Sequence, residues 1–153
     1  METEAAMIKK LTVRCQFCDT WNRIDAGKVT DGPKCGKCAK PILLERPLPL
    51  TDETFTRTIN ESDLPVAVDF YADWCGPCRM MAPAVDALAA HLQGKALIAK
   101  LNTDHSTRTA SSFNIRGIPT TIVFSGGKEV ARQSGAMPLE ALKQLVARAG
   151  VAV

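Results

Sequence analysis

No stretch of the sequence approaches 18 apolar residues in a row, so no membrane-spanning helix and no membrane partner are expected. The first ten residues, Met1 to Lys10, lack the apolar run of a secretory signal, which leaves the cytoplasm as the expected compartment. Glycine-rich phosphate loops and paired carboxylates are missing too. The two histidines, His91 and His105, read as exposed or capping residues rather than ligands. With 46% hydrophobic residues and a mean hydropathy near zero, the 153 residues suit one ordinary domain, or a domain of about 100 residues with a small appendage.

What the sequence does have is six cysteines in three Cys-x-x-Cys pairs: Cys15/Cys18, Cys35/Cys38 and Cys75/Cys78. A secreted, cross-linked scaffold has little use for three such local pairs, and a reducing compartment would not keep structural disulfides. Metal binding and redox chemistry are the better readings. The first two pairs are separated by sixteen residues, within the window of four-cysteine zinc sites. Each short pair can form a knuckle supplying two ligands, with Gly36 expected to let the second backbone bend close to the metal. Four thiolates from Cys15, Cys18, Cys35 and Cys38 close a tetrahedral zinc and leave no position for water, the pattern of a structural site. Large apolar residues are few here, so the metal is expected to supply most of the folding free energy of a small zinc ribbon. Arg14, Lys34 and Lys37 flank the cysteines and could offset the cluster's charge.

That charge matters for a further exclusion. All of the net +3 falls in residues 1–46, which hold nine Lys/Arg against six Asp/Glu, whereas residues 47–153 hold ten of each. A zinc tetrathiolate carries about −2 and removes most of the excess, so no nucleic-acid partner is expected.

Residues 1–10 read as a frayed tail, and 45–51, with Pro47 and Pro49, as a linker or a poor edge strand. The chain is expected to divide into a tail and ribbon over 1–46 and a second domain over 47–153. Thr51, followed by Asp52 and Glu53, can cap a helix through Phe55 and Ile59 that stops before Pro65. Val66–Tyr71 is a strand, and Met81, Val85, Leu88 and Leu92 mark one face of a helix from about 75 to 92, kinked at Pro83 and ended by Gly94. Ala96–Leu101 is the next strand, and Asp104 can cap a short helix over 105–113. Ile118–Phe124 and Glu129–Gln133 form a hairpin around Gly126-Gly127, and a last helix runs from Pro138 to Ala149. The order gives a mixed sheet covered on both faces.

Cys75 falls at the first turn of the long helix, where unpaired N–H groups and the helix dipole favour a thiolate, and a thiol two positions on can resolve a mixed disulfide. Strand alternation puts Val66, Val68 and Phe70 on one face and Ala67, Asp69 and Tyr71 on the other. Asp69 is therefore expected to be buried, with a raised pKa suited to exchanging a proton with Cys78.

These residues resemble a thioredoxin domain over about 48–150. The resemblance is carried by Val68-Asp69-Phe70-Tyr71-Ala72-Asp73-Trp74-Cys75-Gly76-Pro77-Cys78, by Ala82-Pro83, by Lys100-Leu101-Asn102 and by Arg116-Gly117-Ile118-Pro119-Thr120. With the ribbon added, the chain is similar to the zinc-bearing bacterial thioredoxin-2 type. The resemblance implies an α/β thioredoxin fold, a central mixed sheet of four or five strands with helices on both faces, the Pro-rich 45–50 stretch leaving a first strand open. It implies a general protein-disulfide reductase in which Cys75 is the exposed nucleophile and Cys78 the resolving thiol. Lys100, on the neighbouring strand, would modulate Asp69. Pro119 would follow a cis peptide facing Cys75, and Trp74, Gly76, Pro77, Ile118, Gly135 and Ala136 would form the apolar docking surface. It also implies oxidised proteins as substrates, an NADPH-linked thioredoxin reductase as partner, a monomer, and one zinc with no organic cofactor. A different class, a zinc-ribbon binding or redox-regulated chaperone module, predicts that the main activity survives loss of Cys75.

Overall fold

In a computed structural model, which describes residues 8–153, the chain forms a two-stranded N-terminal hairpin set against a five-stranded sheet with helices on both faces. The hairpin pairs β1 (Lys10–Arg14) with β2 (Trp21–Asp25). Most of the expected frayed tail lies outside the described residues, but Lys10 already belongs to β1, because its backbone pairs with Asp25 and also exchanges hydrogen bonds with Asp63. Then follow β3 (Leu48–Leu50), α1 (Phe55–Glu61), β4 (Val66–Tyr71), α2 (Gly76–His91), β5 (Leu97–Asn102), α3 (Thr107–Ser112), β6 (Thr120–Ser125), β7 (Lys128–Ser134) and α4 (Leu139–Ala147).

The sheet order is β3-β5-β4-β6-β7. β3, β5 and β4 run parallel, and β6 and β7 are antiparallel additions. The open question of a first strand is thus answered: residues 48–50 pair with β5 on one side only, and an edge strand tolerates Pro49 because one row of its backbone groups faces away from the ladder. The hairpin turn between β6 and β7 places Gly126 and Gly127 at φ 59° and 80°, the pair of left-handed residues a two-residue turn needs.

Two helix starts differ from expectation. Thr54, not Thr51, precedes α1 and offers no side-chain cap; Asp52 instead crosses to α3, accepting from the Thr109 N–H at 2.8 Å and its hydroxyl at 2.7 Å. Asp104 does not cap α3. It accepts from the indole Nε1 of Trp74 at 2.9 Å. In both cases the carboxylate accepts from a donor across the fold rather than from the N–H groups of its neighbouring helix start. Helix α2 runs unbroken through Pro83. Its exit at Gly94 needs glycine twice over: φ is +80°, and a Cβ would meet the Ala26 carbonyl oxygen at 3.0 Å, where the N-terminal unit packs on the helix end.

The two faces of β4 part as the alternation requires. Val66, Val68 and Phe70 enter a core with Phe55, Phe124 and the partly buried Phe113, and this core continues into Leu11, Val13 and Ile24 of the hairpin. Ala67 faces the other core, beneath α2 and α4. The N-terminal unit is fastened as well as packed. Thr12 donates from its hydroxyl to the Glu61 carbonyl, the Arg23 guanidinium reaches the same carbonyl, and Arg57 stacks on Trp21 at 4.5 Å.

Candidate functional site

A buried strand, β4, delivers the chain to a short turn, and α2 begins at its end. Cys75 occupies the N-cap of α2, where its Sγ accepts from the Cys78 N–H at 3.2 Å. The two sulfurs are joined as a disulfide, with Cα atoms 5.2 Å apart. Trp74 is 67% exposed, and Pro77 is also exposed, so the dithiol sits at a surface. The expectation of an exposed Cys75 is corrected: both cysteines are only 4% exposed, because Cys75 packs among Ala72, Tyr71 and Ile118 with its Sγ 3.7 Å from the Ile118 carbonyl oxygen. What separates the two sulfurs is their surroundings. Cys75 borders the Ile118 segment, whereas Cys78 lines a cavity of about 200 Å³ behind the turn.

That cavity also holds Asp69, Tyr71, Lys100, Asp86 and Pro47. Asp69 is 7% exposed, and its Oδ1 is buried with no hydrogen-bond partner among the described residues. Burial pushes its carboxyl up to about 7, against the opposing attraction of Lys100, its cross-strand neighbour in β5. The Lys100 Nζ also lies 5.7 Å from the centre of the Tyr71 ring.

The Ile118–Pro119 peptide is cis, and Pro119 is buried beside the start of β6. Its carbonyl accepts from the Gly135 N–H at 2.8 Å, which brings the 134–136 turn alongside. Gly135 and Ala136 are exposed and Ile118 is half-buried; of these, Ile118 packs against Cys75, and Gly135 is joined to the site through Pro119. The sequence marks Asp104 only as a cap and gives no sign of its bond to Trp74, since a partner 30 positions away leaves no periodic signal.

The four remaining cysteines converge. Their Sγ atoms lie within 4.8 Å of one another, with Cys15···Cys38 and Cys18···Cys35 both at 3.6 Å. A tetrahedral zinc with bonds of about 2.3 Å separates its sulfurs by about 3.8 Å, so the set fits such an ion. The residues that turn the knuckles are Asp19 and Ala39, at φ 65° and 64°, each donating its N–H to the first cysteine's carbonyl of its pair. Gly36 is not the residue that needs left-handed freedom; its N–H donates to Asn22 Oδ1 at 3.0 Å. Asn22 was unmarked in the sequence, and it also donates to Cys35 Sγ at 3.5 Å. The N–H groups of Cys38 and Lys37, with Asn22, hold the Cys35 thiol down at about 6, so this sulfur favours the thiolate a metal requires. Arg14 is engaged by Asp19 at 3.2 Å, and Lys34 and Lys37 are both exposed.

Removing a metal from this set tests its structural weight. With the four sulfurs unscreened, β1 and β2 are expected to lose amide hydrogen-exchange protection while β4, β5 and β6 keep theirs. Unchanged protection at Leu11 and Val13 after chelation would show that packing alone holds the hairpin.

A dithiol capping a helix on a mixed five-stranded sheet, with a cis-proline turn beside it, defines a thiol-disulfide oxidoreductase of thioredoxin fold. The family model described as Thioredoxin matches residues 46–148, and that described as Thioredoxin 2, N-terminal, matches residues 14–40. The chain belongs to the thioredoxin family and carries that family's N-terminal zinc-ribbon unit. It is 38% identical over 134 residues to Thioredoxin C-3 of Corynebacterium nephridii, covering 88% of this chain and 92% of that protein. Thioredoxin 1 of Nostoc sp. is 48% identical over 95 residues, covering 62% of this chain and 89% of the relative. Among solved structures, that of a point mutant of thioredoxin from Halobacterium salinarum NRC-1 superposes with a TM-score of 0.65 at 34% identity, covering 73% of this chain and 97% of that one.

Proposed function

We propose that the chain is a general protein-disulfide reductase of a reducing compartment, working through Cys75 and Cys78. The carrying observation is the asymmetry of the pair: Cys75 caps α2 beside the exposed rim, and Cys78 faces the cavity that holds Asp69. In the reduced protein, the Cys75 thiolate attacks one sulfur of a partner disulfide. A Cys75–partner bond forms, the partner S–S bond breaks, and the released partner thiolate takes a proton. Cys78 then attacks Cys75 Sγ, giving up its proton to Asp69 directly or through water. The Cys75–Cys78 bond forms and the second partner thiolate leaves, so two electrons have passed from this dithiol to the partner. An NADPH-linked flavoprotein reductase restores the dithiol.

Trp74, Gly76, Pro77, Ile118, Pro119, Gly135 and Ala136 receive the partner, the Ile118 backbone pairing with an extended segment beside its disulfide. Lys100 tempers the cost of charging Asp69. One zinc held by Cys15, Cys18, Cys35 and Cys38 serves as a closed structural centre that takes no step in the exchange. The test is Asp69→Asn in reduction of insulin disulfides. Turnover is expected to fall on the order of 100-fold while alkylation of Cys75 is unchanged. Equal turnover in the two proteins would remove Asp69 from the reaction.

A further inference from the structure

Asp69 and Thr121 stand directly opposite each other in the antiparallel pairing of β4 with β6. Opposed residues share one face of the sheet, with Cβ atoms about 4.5–5.5 Å apart. That face is the one beneath α2 and α4, as Ala67 and Val123, the next opposed pair on it, confirm by their place in the second core. Thr121 is 3% exposed, and its Oγ1, like Asp69 Oδ1, is buried without a hydrogen-bond partner among the described residues. Two unsatisfied polar atoms on adjacent strands and one face are an unusual coincidence, since buried hydroxyls and carboxyls nearly always find partners.

Neighbouring hydroxyls differ. Thr120 donates to the Gly117 carbonyl at 2.6 Å, and Thr109 to Asp52 at 2.7 Å. Thr58 Oγ1, on α1, is also buried without a partner among the described residues, but of the two hydroxyls only that of Thr121 stands on the strand pair and sheet face of Asp69 Oδ1. A hydroxyl can donate one proton, whereas an ionised carboxylate only accepts, so the two groups are complementary when Asp69 carries charge. At the spacing of an opposed pair, a threonine hydroxyl can reach a carboxylate through a change of χ1 or through one bridging water.

We propose that Thr121 is a positioning residue for the exchange reaction, its hydroxyl donating to the Asp69 carboxylate as that group ionises. The inference rests on the reading of Asp69 as the proton acceptor for Cys78. The other groups around Asp69 leave this part unfilled. Lys100 of β5 contributes charge across the strand pair but no hydrogen bond to Asp69 Oδ1, and Tyr71, on the same strand and face, makes none either. On the helix and turn side stand Cys78, Arg79, Asp86 and Asp73, of which Arg79 is turned away to the Asp73 carbonyl at 3.0 Å. Without the Thr121 donor the anion would rest on Lys100 alone, in a site that burial makes hostile to charge.

The experiment is Thr121→Val, which removes the hydroxyl and keeps the shape, with Thr121→Ser as the variant that keeps the donor. The Asp69 carboxyl is titrated by NMR in the oxidised protein, a readout independent of turnover. The valine variant is expected to titrate about one pH unit higher than the parent, because a hydrogen bond to the ionised form favours that form. The serine variant is expected to stay near the parent. Thr121→Ala serves in place of valine should the latter fold poorly. A midpoint that is unchanged or lower in the valine or alanine variant overturns the proposal. A raised midpoint with an unaltered rate of disulfide reduction supports the hydrogen bond and counts instead against Asp69 as the proton acceptor.

Discussion

Cys75→Ser is expected to abolish reduction of protein disulfides, lowering turnover by several orders of magnitude while the ribbon keeps its metal. The reason is chemical rather than structural. A serine alkoxide is not available near neutral pH, so the first S–S exchange has no nucleophile, and Cys78 is a poor substitute because it faces the inner cavity. Little destabilisation of the fold is expected, since Cys75 sits in a small cluster with Ala72, Cys78, Tyr71 and Ile118, apart from both main cores. Insulin reduction coupled to NADPH consumption measures the loss, and zinc content measured on the same protein shows the ribbon intact. Persistence of the activity in this variant would favour a chaperone or binding role for the ribbon over catalysis at the dithiol.

The second large effect is on stability. The Asp69 carboxyl is pushed up to about 7 by burial, whereas in the unfolded chain it ionises near the ordinary carboxylate value of about 3.9. Between those values the folded state holds a proton that the unfolded state has lost. Stability therefore falls as pH rises through that window, and the full cost is present above about pH 7. Three pH units correspond to on the order of 4 kcal/mol. Asp69→Asn removes the titration, so the oxidised variant is expected to exceed its parent by a few kcal/mol at pH 8 and to match it near pH 4. Urea unfolding across that range measures the difference. A parent and variant that run parallel at all pH values would mean that Asp69 is not buried as described. The same substitution is thus expected to stabilise the molecule and, under the proposed mechanism, to slow its reaction.

Much of this was legible in the sequence because it was local. The period-2 alternation of Val66–Tyr71 placed Asp69 inward, and the Cys-x-x-Cys spacings separated the two metal knuckles from the redox pair. The resemblance to thioredoxin supplied what spacing could not, the docking role proposed for residues 118 and 135, which lie far from Cys75 in the chain. What stayed hidden was tertiary. Asp104 looks like a local helix cap and Asp52 like a first-turn charge behind the Thr51 cap, but each found a partner across the fold, Thr109 for Asp52 and the Trp74 indole for Asp104. Pro47 and Pro49 left a linker and a poor edge strand both open; the edge position accommodates Pro49 in β3 and leaves Pro47 buried against the Asp69 cavity. Gly36 looked like the bend in the second knuckle, while non-glycine residues, Asp19 and Ala39, take the left-handed positions. The docking of the hairpin on α1, through Thr12, Arg23 and the shared core, had no signature in either segment alone. It also means that the metal site and the redox domain are parts of one packed body.

The central claim is the division of labour between the two sulfurs, and trapping reads it directly. In Cys78→Ser the resolving step is blocked, so incubation with an oxidised protein should accumulate a mixed disulfide, and peptide mapping by mass spectrometry identifies the cysteine that holds it. The account predicts a Cys75–partner linkage with Cys15, Cys18, Cys35 and Cys38 unmodified. A partner found on one of those four cysteines, or no trapped partner at all, would contradict it.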